Sequence, residues 1–325
     1  MAIVVEDSRD PGAVRFDLAG VASFSAFLFL TTLALISGNH DGWSSPHILA
    51  EGLGALIFLA IFAVVEKRQA RPMVDFAFFR RPTYLGANIA QFSFAAGLLT
   101  MLTFMPIYFQ HALGLSPRAA GLTMLPMALP LFIVPRIVTA QLSHLLSGRT
   151  LLTAGLALVT IGLAVVALVV GRLDDRWMLV GMLVTGIGAG LLNGETTKVG
   201  MTVIPAERAG MASGISGTMR FTGIVIGFAA LGVVLFSRIA DVITAALPAV
   251  DADSRTAFIR EVASGNLSGA PLAGSDATLH ALALRSFTEG YAMLFAASAG
   301  FCLIAAFLTW WLVRASDTPP ITKRR

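Results

Sequence analysis

The 325-residue chain is 56% hydrophobic and only 13% charged, about half the charged share of an ordinary globular domain, so there is too little polar surface to wrap a water-soluble body. Its formal net charge of +4 comes from basic residues scattered between apolar blocks, not gathered in one run or on one amphipathic face, which argues against a nucleic-acid surface. The apolar residues form stretches of roughly 20, the length needed to cross about 30 Å of hydrocarbon at about 1.5 Å per residue. The expected fold is therefore all-α, a polytopic membrane helix bundle of about eight transmembrane helices, with the lipid bilayer as its main partner.

In chain order, a mostly polar segment (1–16) carries Glu6, Asp7, Arg9 and Asp10 and lacks the pattern of a cleavable signal, so the first span is expected to be retained. A transmembrane hairpin (17–66) follows, with spans predicted over Asp17–Ser37 and Ile48–Val65. A basic connector (67–82) leads to six more spans within 83–313: Thr83–Phe109, Gly121–Ser143, Thr150–Val170, Trp177–Met201, Ala209–Ser237 and Phe287–Val313. None shows the period-two alternation of a membrane barrel. The polar stretch 238–286 reads as a long extracytoplasmic loop, with a short interfacial helix over Asp253–Ser264 and a Gly- and Ser-rich part over Gly265–Asp276. Asn266-Leu267-Ser268 fits a glycosylation acceptor, a three-residue match that arises readily by chance. A basic tail (314–325) ends the chain.

Connector charge orients the bundle. With the N-terminus inside, Lys and Arg concentrate on the inner side, from Arg9 and Arg15 through Lys67, Arg68, Arg71, Arg80 and Arg81 to Arg314 and Lys323. The outer side holds fewer, several of them in the long connector, where the rule is weakest. Both termini are expected in the cytoplasm, with the protein in the cell (inner) membrane. Trp43 and Trp177 then lie at the outer boundary, Trp310 and Trp311 at the inner one.

The apolar interior is nearly free of charge. The exceptions are Arg136 in the fourth span, Glu195 and Lys198 in the sixth and Arg220 in the seventh, while the third offers Asn88 and Gln91. Ionisable residues inside a membrane mark candidate functional sites. Glu195 and Arg220 each lie about 27 Å from the outer boundary by helical rise, in the cytoplasmic half. They read either as salt-bridged or snorkelling charges or as a gate in which Glu195 pairs with Arg220 or Arg136. Asn88, Gln91, Tyr108, Gln110 and Asn193 are candidate cavity-lining residues.

The sixth span repeats glycine at Gly186, Gly190 and Gly194, and the seventh carries Gly210, Gly214, Gly223 and Gly227, devices that let helices approach closely or slide. Pro126, Pro130 and Pro135 favour bends in the fourth span. Catalysis finds no constellation. His40, His47, His111, His144 and His280 fall in or beside connectors without metal-ligand spacing, no phosphate-binding or hydrolase motif is present, and the lone Cys302 reads as packing. No cofactor, metal or enzymatic activity is expected.

Several stretches then resemble the major facilitator superfamily, in particular its fourteen-span drug:proton antiporters. They are Arg15-Phe16-Asp17-Leu18-Ala19-Gly20 and Asp41-Gly42-Trp43; Glu66-Lys67-Arg68 through Arg71-Pro72 to Phe78-Phe79-Arg80; Met105-Pro106-Ile107-Tyr108-Phe109-Gln110 and Leu113-Gly114-Leu115-Ser116-Pro117; and Gly186-Ile187-Gly188-Ala189-Gly190, Gly210-Met211-Ala212-Ser213-Gly214 and Arg220. The resemblance implies that the hairpin is the extra pair between two six-helix halves and that 83–313 is the C-terminal half. It also implies alternating access and export of hydrophobic or cationic small molecules in exchange for protons. Two departures stand out. The family's first six helices, with the acidic residues credited with proton coupling, have no counterpart here. The cytoplasmic loop motif reads Ala140 to Arg149 with His144 where an aspartate is usual and Leu145 where an arginine is usual; Arg149 survives. The expectation is an incomplete or half transporter that needs a six-helix N-terminal half. The other readings are a non-transporting membrane partner and an uptake transporter for a small metabolite.

Overall fold

The computed structural model describes residues 17–41, 45–69, 74, 76–99, 101–172, 175–267 and 277–320. The 1–16 segment, Trp43, Ser268 of the glycosylation match, most of the Gly- and Ser-rich loop and the terminal Lys323-Arg324-Arg325 lie outside the described residues. The described chain is helical, with eight helices long and apolar enough to cross a membrane: Leu18–Leu35, Pro46–Arg68, Pro82–His111, Leu125–Leu145, Gly148–Val169, Arg176–Met201, Ala206–Ala246 and Ala277–Leu312. Helix is what hydrocarbon permits, because every backbone N–H and C=O must find a partner within the segment. Phe132, Leu168 and Phe221 are exposed by 71, 74 and 70%, and similar side chains stud every outer face. Such apolar exposure is tolerable only where lipid is the solvent. The chain is an integral multi-pass membrane protein.

Spans three to eight pack as one bundle around buried Leu156, Val159 and Leu163 of span five, Phe287, Tyr291 and Phe295 of span eight, and Phe94, Met101 and Phe109 of span three. Span five is central, flanked by spans six and eight. The hairpin closes on itself through the Phe24 and Phe62 rings, 4.9 Å apart, and through Gln69 Nε2 donating to Asp17 Oδ1 at 2.7 Å; span one rests on span seven. One end of the bundle, here the C-terminal face, carries the starts of spans three, five and seven and residues 314–320. The opposite connector face carries residues 238–267 and 277–286.

The glycines act unequally. At Gly186 an added Cβ would stand 2.4 Å from the Met127 carbonyl oxygen, and at Gly190 it would stand 2.7 Å from that of Pro130, so these two pack span six on span four. Gly223 meets the Phe92 carbonyl in the same way, and Gly227 is buried. Gly194 does not continue the packing row. It has φ +91 with open space around it and marks a break in the helix.

Two expectations change. Pro126 does not bend span four: the chain turns at Met124 and the helix restarts at Leu125, so Pro126 sits in the first turn, where its missing donor costs nothing. Pro130 and Pro135 do lie inside the helix, which loosens to π-helical winding over Val138–Leu142. The described residues of the 238–286 stretch, expected as a loop with one short helix, are also largely helical. Span seven runs unbroken over Ala209–Ala246, span eight begins at Ala277, and a separate helix covers Ala252–Ala263. Charge ended those spans on paper, yet Arg238 and Arg285 both pair with Glu289, at 2.7 and 2.8 Å, and the helices continue past the apolar zone. The Ala252–Ala263 helix is capped by Asp251, whose carboxyl is held below its usual range by the Ser254 N–H it accepts, and it buries Phe258, Ile259 and Val262.

Candidate functional site

Most of the polar groups that the sequence singled out, Tyr108 and Gln110 excepted, gather in the half of the bundle near the C-terminal face, around an interruption in span six. Its first helix ends at Leu192, Asn193 and Gly194 turn the chain, and a second helix starts at Glu195 and runs to Met201. Only glycine takes the backbone angles at 194 without strain, so the break is written into that residue.

Asn193 reaches across to span four, where its Nδ2 donates to the Leu131 carbonyl at 3.4 Å. That carbonyl is the one Pro135 leaves without its helical donor four residues on. The proline and the asparagine, on different helices, thus answer each other.

Glu195 opens the restarted helix, a position where a carboxylate is favoured by the exposed N–H groups. Its side chain is only 7% exposed, and Oε1 accepts from Lys198 Nζ at 2.8 Å, the lysine being 43% exposed. The pairing with Arg220 or Arg136 drawn from matched depth is therefore replaced. Lys198 is one turn away on the same helix and reaches Glu195 with less side-chain ordering. Arg220 is exposed and holds its guanidinium 6.0 Å above the Phe94 ring; Arg136 is exposed in the last regular turn of span four.

Beside the ion pair, polar side chains stitch three spans together. Thr196 Oγ1 donates to Gln91 Oε1, joining spans six and three. The Thr197 and Ser216 hydroxyls meet at 2.7 Å, joining spans six and seven. Asn88 donates from Nδ2 to the Tyr84 carbonyl at 2.9 Å within span three. Thr196, Thr197 and Ser216 were missed in the sequence because hydroxyls are common in membrane helices. Their clustering after Asn193-Gly194 was the available signal. Tyr108, named as a cavity residue, is instead fully buried near the connector face and donates to the Val170 carbonyl at 2.8 Å. Gln110 donates back to its own helix at Pro106.

Two openings flank this seam. A cavity of about 390 Å³ at the C-terminal face is lined by Ser143, Leu151, Glu195, Lys198, Thr202 and Thr318. An almost wholly apolar crevice of about 250 Å³ between spans three, seven and eight is lined by Ile89, Phe92, Met219, Phe301 and Ile304, with Asn88 and Ser93 as its polar members. In the altered loop motif, His144 lies in a short turn over Ser143–Leu145, and Arg149 lays its guanidinium 4.9 Å above the Trp310 ring. The site thus holds one shielded charge pair, hydrogen bonds between helices, and apolar walls.

The sequence profile of the Major Facilitator Superfamily matches residues 17–228, about two thirds of the chain. The chain belongs to the Major Facilitator Superfamily. Among curated proteins, it is 34% identical over 231 residues to multidrug resistance protein Stp of Mycobacterium tuberculosis, covering 71% of this chain and 43% of that protein. It is 34% identical over 235 residues to the methylenomycin A resistance protein of Streptomyces coelicolor, covering 72% and 49%. It is 27% identical to a tetracycline resistance determinant of Streptomyces rimosus, over 95% of this chain and 94% of that one. The chain spans about half the length, or less, of the first two relatives. This superfamily member is, over its described residues, a helical bundle with eight helices able to cross a membrane.

Proposed function

We infer that the chain is the C-terminal portion of an exporter of hydrophobic or cationic small molecules, driven by proton antiport once a six-helix N-terminal half is present. It acts as a transporter and not as an enzyme. It resides in the inner membrane with both termini, and hence the C-terminal face, toward the cytoplasm. The hairpin over 17–66 precedes a transporter half over 83–313.

The observation that carries this reading is the interrupted sixth span, which brings a shielded Glu195–Lys198 pair and a hydroxyl- and amide-lined seam into an otherwise charge-poor bundle. Broken helices with polar groups near their ends are how transporters of this general design meet ions and polar substrate atoms. Resistance proteins among the relatives support export over uptake. The need for a second half is supported by span seven, where Gly210, Gly214 and Gly217 meet no side chain or backbone within 4 Å and leave a close-approach face open.

The test is transport of a fluorescent lipophilic cation in proteoliposomes under an imposed proton gradient. The purified chain alone is expected to give no proton-linked flux. Co-reconstitution with a six-helix N-terminal half from a related exporter is expected to give flux that Glu195→Gln lowers at least tenfold. Flux from the chain alone would remove the half-transporter reading. A properly inserted paired assembly that moves neither cationic nor neutral apolar compounds would remove the export reading.

A further inference from the structure

The last described residues of the chain do not trail away from the bundle. After span eight ends at Leu312, residues 314–320 fold back across the C-terminal face and touch the starts of two other spans. At span three, the Thr83 hydroxyl donates to Asp317 Oδ2 at 2.5 Å and accepts from the Arg314 N–H at 3.1 Å. Thr83 lies in the first turn of its helix, so the Asp317 carboxylate also faces that helix's N–H end. At span five, the Gly148 N–H donates to the Thr318 carbonyl at 3.0 Å and the Arg149 N–H to Thr318 Oγ1 at 3.2 Å. Ser147 Oγ accepts the next donor, that of Thr150. The first three N–H groups of span five, which no helix can satisfy for itself, are thus all taken, two of them by one threonine from the far end of the chain.

Thr318 is 3% exposed, and its side chain packs against Gly148, where an added Cβ would come within 3.1 Å of Thr318 Cβ. With Pro319 and Pro320 it forms one wall of the cavity of about 390 Å³ that holds Glu195 and Lys198. We propose that residues 314–320 are a clasp that fastens spans three, five and eight over the Glu195–Lys198 cavity, and that its release opens this cavity at the C-terminal face. Two hydrogen bonds at each anchor make the clasp specific, and their position at helix ends leaves it able to open without disturbing the apolar core.

The proposal does not depend on substrate or direction of transport, and its test reads neither. Ser143 is buried and lines the cavity, so Ser143→Cys in a Cys302→Ala background reports opening through its rate of reaction with a water-soluble maleimide on the purified full chain. Asp317→Ala with Thr318→Ala, which removes the two side-chain anchors, is expected to raise that rate at least tenfold, while Thr318→Ser, which keeps the hydroxyl, leaves it unchanged. A rate unaffected by the double substitution overturns the clasp. Should the double variant fail to fold, Thr83→Cys with Asp317→Cys in the same background still decides. A disulfide forming under mild oxidation in a monodisperse chain supports the clasp, and no cross-link under those conditions overturns it.

Discussion

Spans five and eight differ in kind from spans three, four and six. The first two are continuous: span five runs over Gly148–Val169 and span eight over Ala277–Leu312 without interruption, and the buried residues of span five are all apolar. Each of the other three is broken or rewound. Span three passes through π-helical winding over Phe94–Leu99, span four holds two internal prolines and a second π-helical stretch, and span six turns at Asn193-Gly194. Where winding changes, backbone groups lose partners, and polar side chains from neighbouring spans supply them: Asn193 to Leu131, and Ser298 Oγ to the Gly97 carbonyl at 2.8 Å. The continuous pair holds the bundle's shape. The interrupted trio carries the polar seam, and π-helical turns and broken helices are frequent at functional sites.

This division is most sharply tested where span five meets span six. An added Cβ at Gly162 would stand 2.1 Å from the Thr185 hydroxyl oxygen, 2.5 Å from the Thr185 backbone nitrogen and 2.6 Å from the Gly181 carbonyl oxygen, and the two backbone atoms cannot swing aside. Gly162→Val is expected to destabilise the chain by about 3 kcal/mol or more, because over-packing between two backbones forces them apart. Thermal unfolding in detergent measures this, and a loss below about 1 kcal/mol would show that the pair is not the rigid element. A smaller cost is expected at the break in span six. Gly194→Ala puts a side chain on a positive-φ backbone and is expected to cost about 1–2 kcal/mol. In the transport assay it is expected to lower flux more than it lowers stability, whereas proportional losses would make the break merely structural.

The smallest effect belongs to the open face of span seven. Gly214→Ala meets nothing and is expected to be neutral or to stabilise the isolated chain by up to about 1 kcal/mol through helix propensity. The same substitution is expected to weaken co-purification with an N-terminal half. Unchanged co-purification would assign that face to lipid.

The span count and the ionisable residues worth attention were legible in the chain because lipid enforces both. An apolar block long enough to cross has one available conformation, and a charge within it is rare enough to mark itself, as Glu195 and Lys198 did. Partners were harder to read. Arg220 matched Glu195 in depth, but depth is one coordinate of three, and the side chain one turn away on the same helix arrived first. The glycine spacing predicted close packing correctly at Gly186 and Gly190 and failed at Gly194, where the same residue type serves a backbone angle.

The sequence by itself determined that this is a lipid-embedded helical bundle resembling the Major Facilitator Superfamily, with its few intramembrane charges gathered in one half, because solvent and helix length act on each segment independently. Only the tertiary structure decided that Asn193 answers Pro135 and that Thr318 caps a helix beginning 170 residues earlier, Thr318 and Arg149 being 169 positions apart. A hydrogen bond is a property of two atoms within about 3 Å, and nothing local in a chain records which distant segment will be brought to that distance.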